Sequence, residues 1–206
     1  MIELIHPVKI YKTKYTGNLE LLQQTVIPKL DAVFEKTRLN NQDSMRNNGL
    51  CSYNAVRDLH TWDELAHYTA FLKHHLDIYW KELNYDPERG PDVVEMWANV
   101  YEPGAFIDIH NHSPITITAS FYLQKPTNSG NIVFEHPLET LLKHQPVNHK
   151  DIDAYGSWFQ TEIAVEEGDL VLFPGYLKHK TTPNLDSSNR IIIGANVLPV
   201  INTVQN

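Results

Sequence analysis

The spacing of apolar residues changes character near residue 92. Before that point Leu65, Tyr68, Leu72, Leu76, Tyr79 and Leu83 recur every three or four positions, which predicts one buried stripe on a helix. Thr61 followed by Glu64 has the form of a capping box and predicts where that helix starts. Residues 19–37 predict an earlier helix, which Pro28 should kink or restart because proline brings no amide hydrogen. Residues 3–11 read as an edge strand, and the Asn-rich residues 40–48 read as a loop.

From residue 92 onward the period drops to two. Short runs rich in Val, Ile, Phe and Tyr are separated by Pro, Gly and Asn, the mark of an antiparallel β-sandwich or barrel. Strands are predicted at residues 93–101, 106–110, 115–124, 131–135, 159–165, 169–173, 179–182 and 190–197, enough to complete a barrel. Residues 138–158 form a long insertion with His144, Pro146, His149 and Gly156, placed to act as a lid or binding loop. The expected organisation is one domain over residues 1–206, with a mostly helical layer at 1–91 and a β core at 92–200.

Composition narrows the classes. At 42% apolar and 20% charged residues the chain can build an interior of its own. No run reaches the roughly 20 apolar residues of a membrane span, and the opening residues carry no export signal. Cys51 is the single cysteine, which rules out an intrachain disulfide and a cysteine-rich metal site and fits a reducing, cytoplasmic setting. A net charge of −8 argues against nucleic acid as a partner. Oligomeric state is left open.

Eleven histidines direct attention to metal chemistry. On a strand, Asp108, His110 and His112 would share one face, so two imidazoles would converge. His179, just beyond Gly168-Asp169-Leu170-Val171-Leu172-Phe173-Pro174, offers a third ligand from a distant part of the chain. Three protein ligands leave other metal positions open. Eleven residues later, Arg190 opens the apolar run Ile191-Ile192-Ile193-Gly194-Ala195-Asn196. A charge buried there needs a partner, either a bidentate carboxylate ligand or an internal salt bridge. His60, His67 and His74 recur every seven residues and read as a solvated helix face, and His136, His144 and His149 as loop residues.

Taken in order, Tyr101 with Gly104, His110-Asn111-His112, Thr118 four before Tyr122-Leu123, Ser129-Gly130 before Phe134, Gly168 to Pro174, His179, Pro183-Asn184 and Arg190 resemble the 2-oxoglutarate and Fe(II)-dependent oxygenases. The likeness is to the prolyl-hydroxylase-like branch and its bacterial and phage relatives, and it spans about residues 94–197. It implies a double-stranded β-helix, a jelly-roll or cupin-like barrel with the N-terminal helices packed on it. It also implies Fe(II), 2-oxoglutarate as cosubstrate, O2, and hydroxylation of an aliphatic C–H group on a small molecule or peptide. His110 and His179 would be iron ligands. Arg190 would bind the far carboxylate of 2-oxoglutarate with the Tyr122 hydroxyl, Tyr101 would wall the pocket, and Thr118 would face the cosubstrate.

One position departs from the family: where the pattern is H-x-D, this chain has His112. His112 can complete a three-histidine site, stand aside for water, or leave the position to Asp108; the first needs no change of register, and Asp108 fits better as an acceptor that orients a histidine ring. A second reading is a cupin-type metal-binding barrel, non-catalytic or acting without 2-oxoglutarate. Gly104 with His110-Asn111-His112 and Gly168 with Pro174 and His179 suit it. The absence of Glu three or four residues after His112, Tyr176 at a glycine position and the spacing of Arg190 do not.

Overall fold

A computed structural model of the protein describes residues 7–40, 44–45, 49–142 and 159–201. A seven-stranded sheet has the order β1 (Tyr11–Lys14), β8 (Asp169–Pro174), β5 (Ile117–Gln124), β10 (Arg190–Ile201), β4 (Arg89–Tyr101), β3 (Gly49–Cys51), β2 (Ser44–Met45). A smaller sheet has the order β7 (Gln160–Ile163), β6 (Ile132–Glu135), β9 (His179–Thr181). All the ladders are antiparallel.

Alternation along the central strands sorts their side chains onto two faces. On one face Met96, Ala98 and Val100 of β4, Phe121 of β5, Leu170 and Leu172 of β8, and Ile191 and Ile193 of β10 pack under two helices. Helix α1 (Leu19–Asn40) contributes Leu22, Val26, Leu30 and Phe34, and α2 (Ala66–Glu82) contributes Tyr68, Leu72, Leu76 and Tyr79. On the opposite face Tyr101, Tyr122, Val171, Phe173 and Ile192 meet Ile132 and Phe134 of the small sheet. This inner layer holds the candidate site residues described below. No described helix is long and apolar enough to cross a membrane.

The expected double-stranded β-helix barrel is not formed. The large sheet ends on β1, which pairs with β8, and on the two-residue β2, which pairs with β3, and no ladder among the described residues joins it to the small sheet. The fold is α+β, two open sheets with flanking helices. The strand expected at residues 106–110 is also absent. Gly104 takes φ +85° and its amide donates to the Asn184 carbonyl, while Ala105 N–H closes a turn on Glu102. Thereafter the segment touches β9 only through separated bonds, Thr181 N–H to Ile107 O, Ile107 N–H to Thr181 Oγ1, and a single His110–His179 bridge.

Smaller departures have local causes. The first strand lies at Tyr11–Lys14 rather than 3–11, of which residues 3–6 lie outside the described range. Helix α1 runs through Pro28 as one element. The capping box does not form: Thr61 Oγ1 donates to the Asp58 carbonyl, Glu64 pairs with Lys29 at 2.7 Å, and two short 3-10 turns precede α2. Of the loop expected at 40–48, Ser44–Met45 is a strand. The insertion at 138–158 begins with α3 (Glu139–Leu142); its residues 143–158, and with them His144, Pro146, His149 and Gly156, lie outside the described residues.

Candidate functional site

A cavity of about 800 Å³ opens between the two sheets. Its floor is ruled by the register of three strands. β10 sits between β4 and β5, so Glu95, Asn196 and Thr118 lie side by side in one row. Trp97, Gly194 and Ser120 form the next row, then Asn99, Ile192 and Tyr122, and finally Tyr101 beside Arg190. Gly194 is required where it stands: a Cβ there would lie 2.7 Å from Cζ2 of Trp97.

Three histidines gather over this floor. His110 and His179 bond to each other through both backbone groups, at 3.0 and 2.8 Å, and His112 N–H donates to the Gly175 carbonyl at 2.8 Å. Their rings stand 4.3 Å (His110–His179), 5.2 Å (His110–His112) and 5.2 Å (His112–His179) apart between centroids. One ligand nitrogen of each lies within 4.8 Å of the other two. Two donors about 2.1 Å from a shared cation span up to roughly 4 Å, so small ring shifts bring this set onto one ion.

Every Nδ1 is already engaged. That of His110 meets the Asp108 carbonyl at 2.8 Å, that of His179 the Leu177 carbonyl at 3.1 Å, and that of His112 the Asn196 Oδ1 at 2.8 Å. A carbonyl oxygen can only accept, so the proton sits on Nδ1 and each Nε2 presents a lone pair. Burial pushes all three imidazoles toward the neutral, ligating form, most strongly for His179, which is 5% exposed. The donor set therefore fits a transition-metal ion. Asp108 stands apart from it: its side chain is exposed, and its backbone carbonyl, rather than its carboxylate, holds the His110 ring.

Arg190 lies behind Tyr101, Tyr122 and Thr181, which line the cavity, and is fully buried. Its Nη1 donates to the carbonyls of Ser129 and Thr182, the latter at 3.1 Å, and its Nη2 to Thr181 Oγ1 at 3.0 Å. The guanidinium stacks 4.2 Å from the Tyr101 ring centroid, and its Nε has no hydrogen-bond partner among the described residues. No carboxylate among the described residues pairs with it, so the internal salt bridge considered from sequence is absent there. Lys125 adds further positive charge nearby; burial first, then Arg190, pushes its pKa down. The Tyr122 hydroxyl, Thr118 Oγ1 and Asn99 Oδ1 are buried without hydrogen-bond partners among the described residues. Together these groups leave a buried cation that pairs with no carboxylate among the described residues beside polar atoms that line the cavity, whose carboxylate Glu95 belongs to the row of Asn196 and Thr118.

Sequence reasoning passed over Glu95 and Asn196. Asn196 Nδ2 donates to Glu95 Oε2 at 2.9 Å, while the Tyr53 hydroxyl and Arg57 hold the same carboxylate at 3.0 and 3.3 Å. The available signal was parity: Asn196 keeps the same face of β10 as Arg190, Ile192 and Gly194. Trp97 lines the cavity, 5.7 Å from the His112 ring and edge-on to Tyr53. Of the helix histidines, His67 and His74 are exposed, and His60 is half-buried.

Comparison with known proteins agrees with this layout. Residues 95–196 match the family described as "Putative 2OG-Fe(II) oxygenase". A prolyl-4-hydroxylase from Pseudomonas putida shares the fold with TM-score 0.56 and 13% identity, over 92% of each chain. The viral collagen prolyl hydroxylase of Paramecium Bursaria Chlorella virus-1, solved with 2-oxoglutarate, gives 0.54 and 12%, over 91% of this chain and 94% of that one. HygX from Streptomyces hygroscopicus, solved with nickel and 2-oxoglutarate, gives 0.55 and 11%, over 92% and 82%. No curated protein matches the sequence.

Proposed function

Because the chain belongs to the 2-oxoglutarate/Fe(II) oxygenase superfamily, we propose that it is an Fe(II)- and 2-oxoglutarate-dependent dioxygenase hydroxylating an aliphatic C–H group of a small-molecule or peptide substrate. One observation carries the reading. A fully buried guanidinium that pairs with no carboxylate among the described residues, beside a tyrosine hydroxyl with no partner among them, lies just behind the wall of a cavity in which three neutral imidazoles converge. Removing a cation from water costs several kcal/mol unless an anion compensates, and a bidentate carboxylate suits the planar fork.

In this reading His110, His112 and His179 hold the iron through Nε2, leaving positions open for ligands. Arg190, through Nε and the remaining Nη2 hydrogen, and Tyr122, through its hydroxyl, hold the far carboxylate of 2-oxoglutarate. Tyr101 backs the guanidinium, and Thr118 supplies a further hydroxyl to the cavity. When bound, the metal and cosubstrate supply the oxidising chemistry that couples oxo-acid decarboxylation to C–H hydroxylation with O2. The protein's part is to orient these groups and keep water from them; Trp97, Ile192 and Phe173 provide the apolar surroundings.

Anaerobic titration of the Fe(II) protein with 2-oxoglutarate tests the proposal. Chelation produces a visible metal-to-ligand charge-transfer band. Neither a band nor heat of binding, with Fe(II) bound, would remove 2-oxoglutarate from the scheme.

A further inference from the structure

The substitution of His112 for the carboxylate of H-x-D removes an anion from the metal site, and the structure shows where a negative charge stands instead. We propose that Asn196 and Glu95 are positioning residues that fix the ring of His112 and place the displaced anion behind it. This rests on the three-histidine metal reading above.

The hydrogen bonds run one way. Glu95 accepts from the Tyr53 hydroxyl and from Asn196 Nδ2, and it forms an ion pair with Arg57. With Nδ2 facing a carboxylate, the Asn196 Oδ1 must face His112, and it lies 2.8 Å from Nδ1. Turning the amide over would set oxygen against carboxylate and N–H against N–H. The arrangement therefore selects the Nδ1–H tautomer of His112, the form whose Nε2 can bind metal. Partners that orient a ligating histidine in this way are worth ten- to a hundredfold in metal affinity.

The backbone is shaped for this relay. Glu95 and Asn196 are cross-strand partners, and the β4–β10 register slips by one residue immediately beyond them, between Asn196 and Val197. Such a bulge re-aims neighbouring side chains. Val94, the extra residue, turns outward at 38% exposure, while Asn196 is buried at 5%. The other two histidines need no side-chain partner, because backbone carbonyls of Asp108 and Leu177 hold them. His112 alone depends on residues from two distant strands.

The test compares wild type with Asn196→Leu, which keeps size and loses the hydrogen bonds, and with Glu95→Gln at the partly exposed end of the relay. Long-range 1H–15N correlation spectra of the metal-free protein read ring tautomers directly. The expected result is Nδ1–H for His112 in wild type, a population shifted toward Nε2–H in Asn196→Leu, and a smaller shift in Glu95→Gln. His110 and His179 should keep their tautomers in all three, which separates loss of the relay from loss of the fold. Co(II) titration should show a ten- to hundredfold weaker site in Asn196→Leu and a loss of a few fold in Glu95→Gln. An unchanged His112 tautomer with Co(II) affinity within twofold of wild type in both variants overturns the relay. Wild type that binds no Co(II) overturns the metal reading instead, and the tautomer comparison still judges the relay.

Discussion

Replacing Arg190 by Met keeps most of the side-chain volume and removes the charge, so it separates two accounts of the guanidinium. In the protein without cosubstrate, the substitution relieves the desolvation of an unpaired cation, an effect of several kcal/mol. Against this, the Ser129 and Thr182 carbonyls each lose a buried donor, at about 1–3 kcal/mol apiece. The two nearly offset, and a net change within about 2 kcal/mol moves the melting temperature by no more than about 8 °C in a chain of this size. Ligand binding is another matter. With 2-oxoglutarate at a hundred times its dissociation constant, wild type gains about 2.7 kcal/mol, which corresponds to roughly 5–11 °C. Anaerobic differential scanning calorimetry with metal alone and with metal plus 2-oxoglutarate should show that increment in wild type and none in Arg190→Met. The shift produced by the metal, which depends on the histidines, should be the same in both. Retention of the cosubstrate increment in the variant would refute the anion-site argument. So would a loss above about 5 kcal/mol in the ligand-free variant, since Arg190 would then be a strut held by its own hydrogen bonds.

Other consequences are separable. The Tyr122 hydroxyl is buried without a partner, so Tyr122→Phe should leave thermal stability unchanged or slightly raised while weakening 2-oxoglutarate about tenfold by calorimetric titration; equal affinity would exclude the hydroxyl from the site. Gly194→Val places carbon against a Trp97 ring flanked by Tyr53 and His112, for which about 1–3 kcal/mol of lost stability and weaker Co(II) binding are expected. A variant that melts like wild type would show Trp97 free to retreat. His75, beside Tyr11, Phe71 and His74, has its pKa lowered by burial and then by His74. The unfolded chain binds its proton more readily, so His75 contributes stability above about pH 6.5 that is lost as pH falls through that value and below. His75→Gln should lose less stability than wild type between pH 7.5 and 5.5 in chemical denaturation; identical losses would dismiss the effect.

What the sequence disclosed about the fold follows from how strongly each signal was tied to burial. Leu65, Tyr68, Leu72, Leu76 and Tyr79 marked α2 and its buried face because a stripe at that spacing has one way to leave water. The β strands from 117 onward were legible for the same reason, since both faces of β10 and β5 are covered and their side chains alternate between two cores. Closure of a sheet leaves no such mark. Whether β1 and β2 end an open sheet or meet partners depends on strand placement, and an identical alternation serves a barrel and two open sheets alike. The capping box failed because Thr61 found the Asp58 carbonyl within three residues and Glu64 found Lys29. Both competing partners are invisible to a local pattern.

The three histidines come together by a route other than the one their spacing suggests. Period-two spacing was used to put Asp108, His110 and His112 on one face of a strand, yet residues 106–110 form no strand, and Asp108 turns to solvent. His110 and His112 converge because each is pinned separately, His110 by a two-way backbone bridge to His179 and His112 by the Gly175 carbonyl below and Asn196 beside it. The ring of His112 thus owes its place to β4 and β10 rather than to its own segment. In the proposed metal site, that dependence would make an imidazole workable at the position where the H-x-D pattern has a carboxylate. A neutral ligand on a loop has neither charge nor ladder to hold it near a cation, so its orientation must come from elsewhere in the fold. Glu95 and Asn196 supply it through strands that would be adjacent in any case, and the only visible trace in the sequence is a polar residue keeping step with Arg190 inside an apolar run.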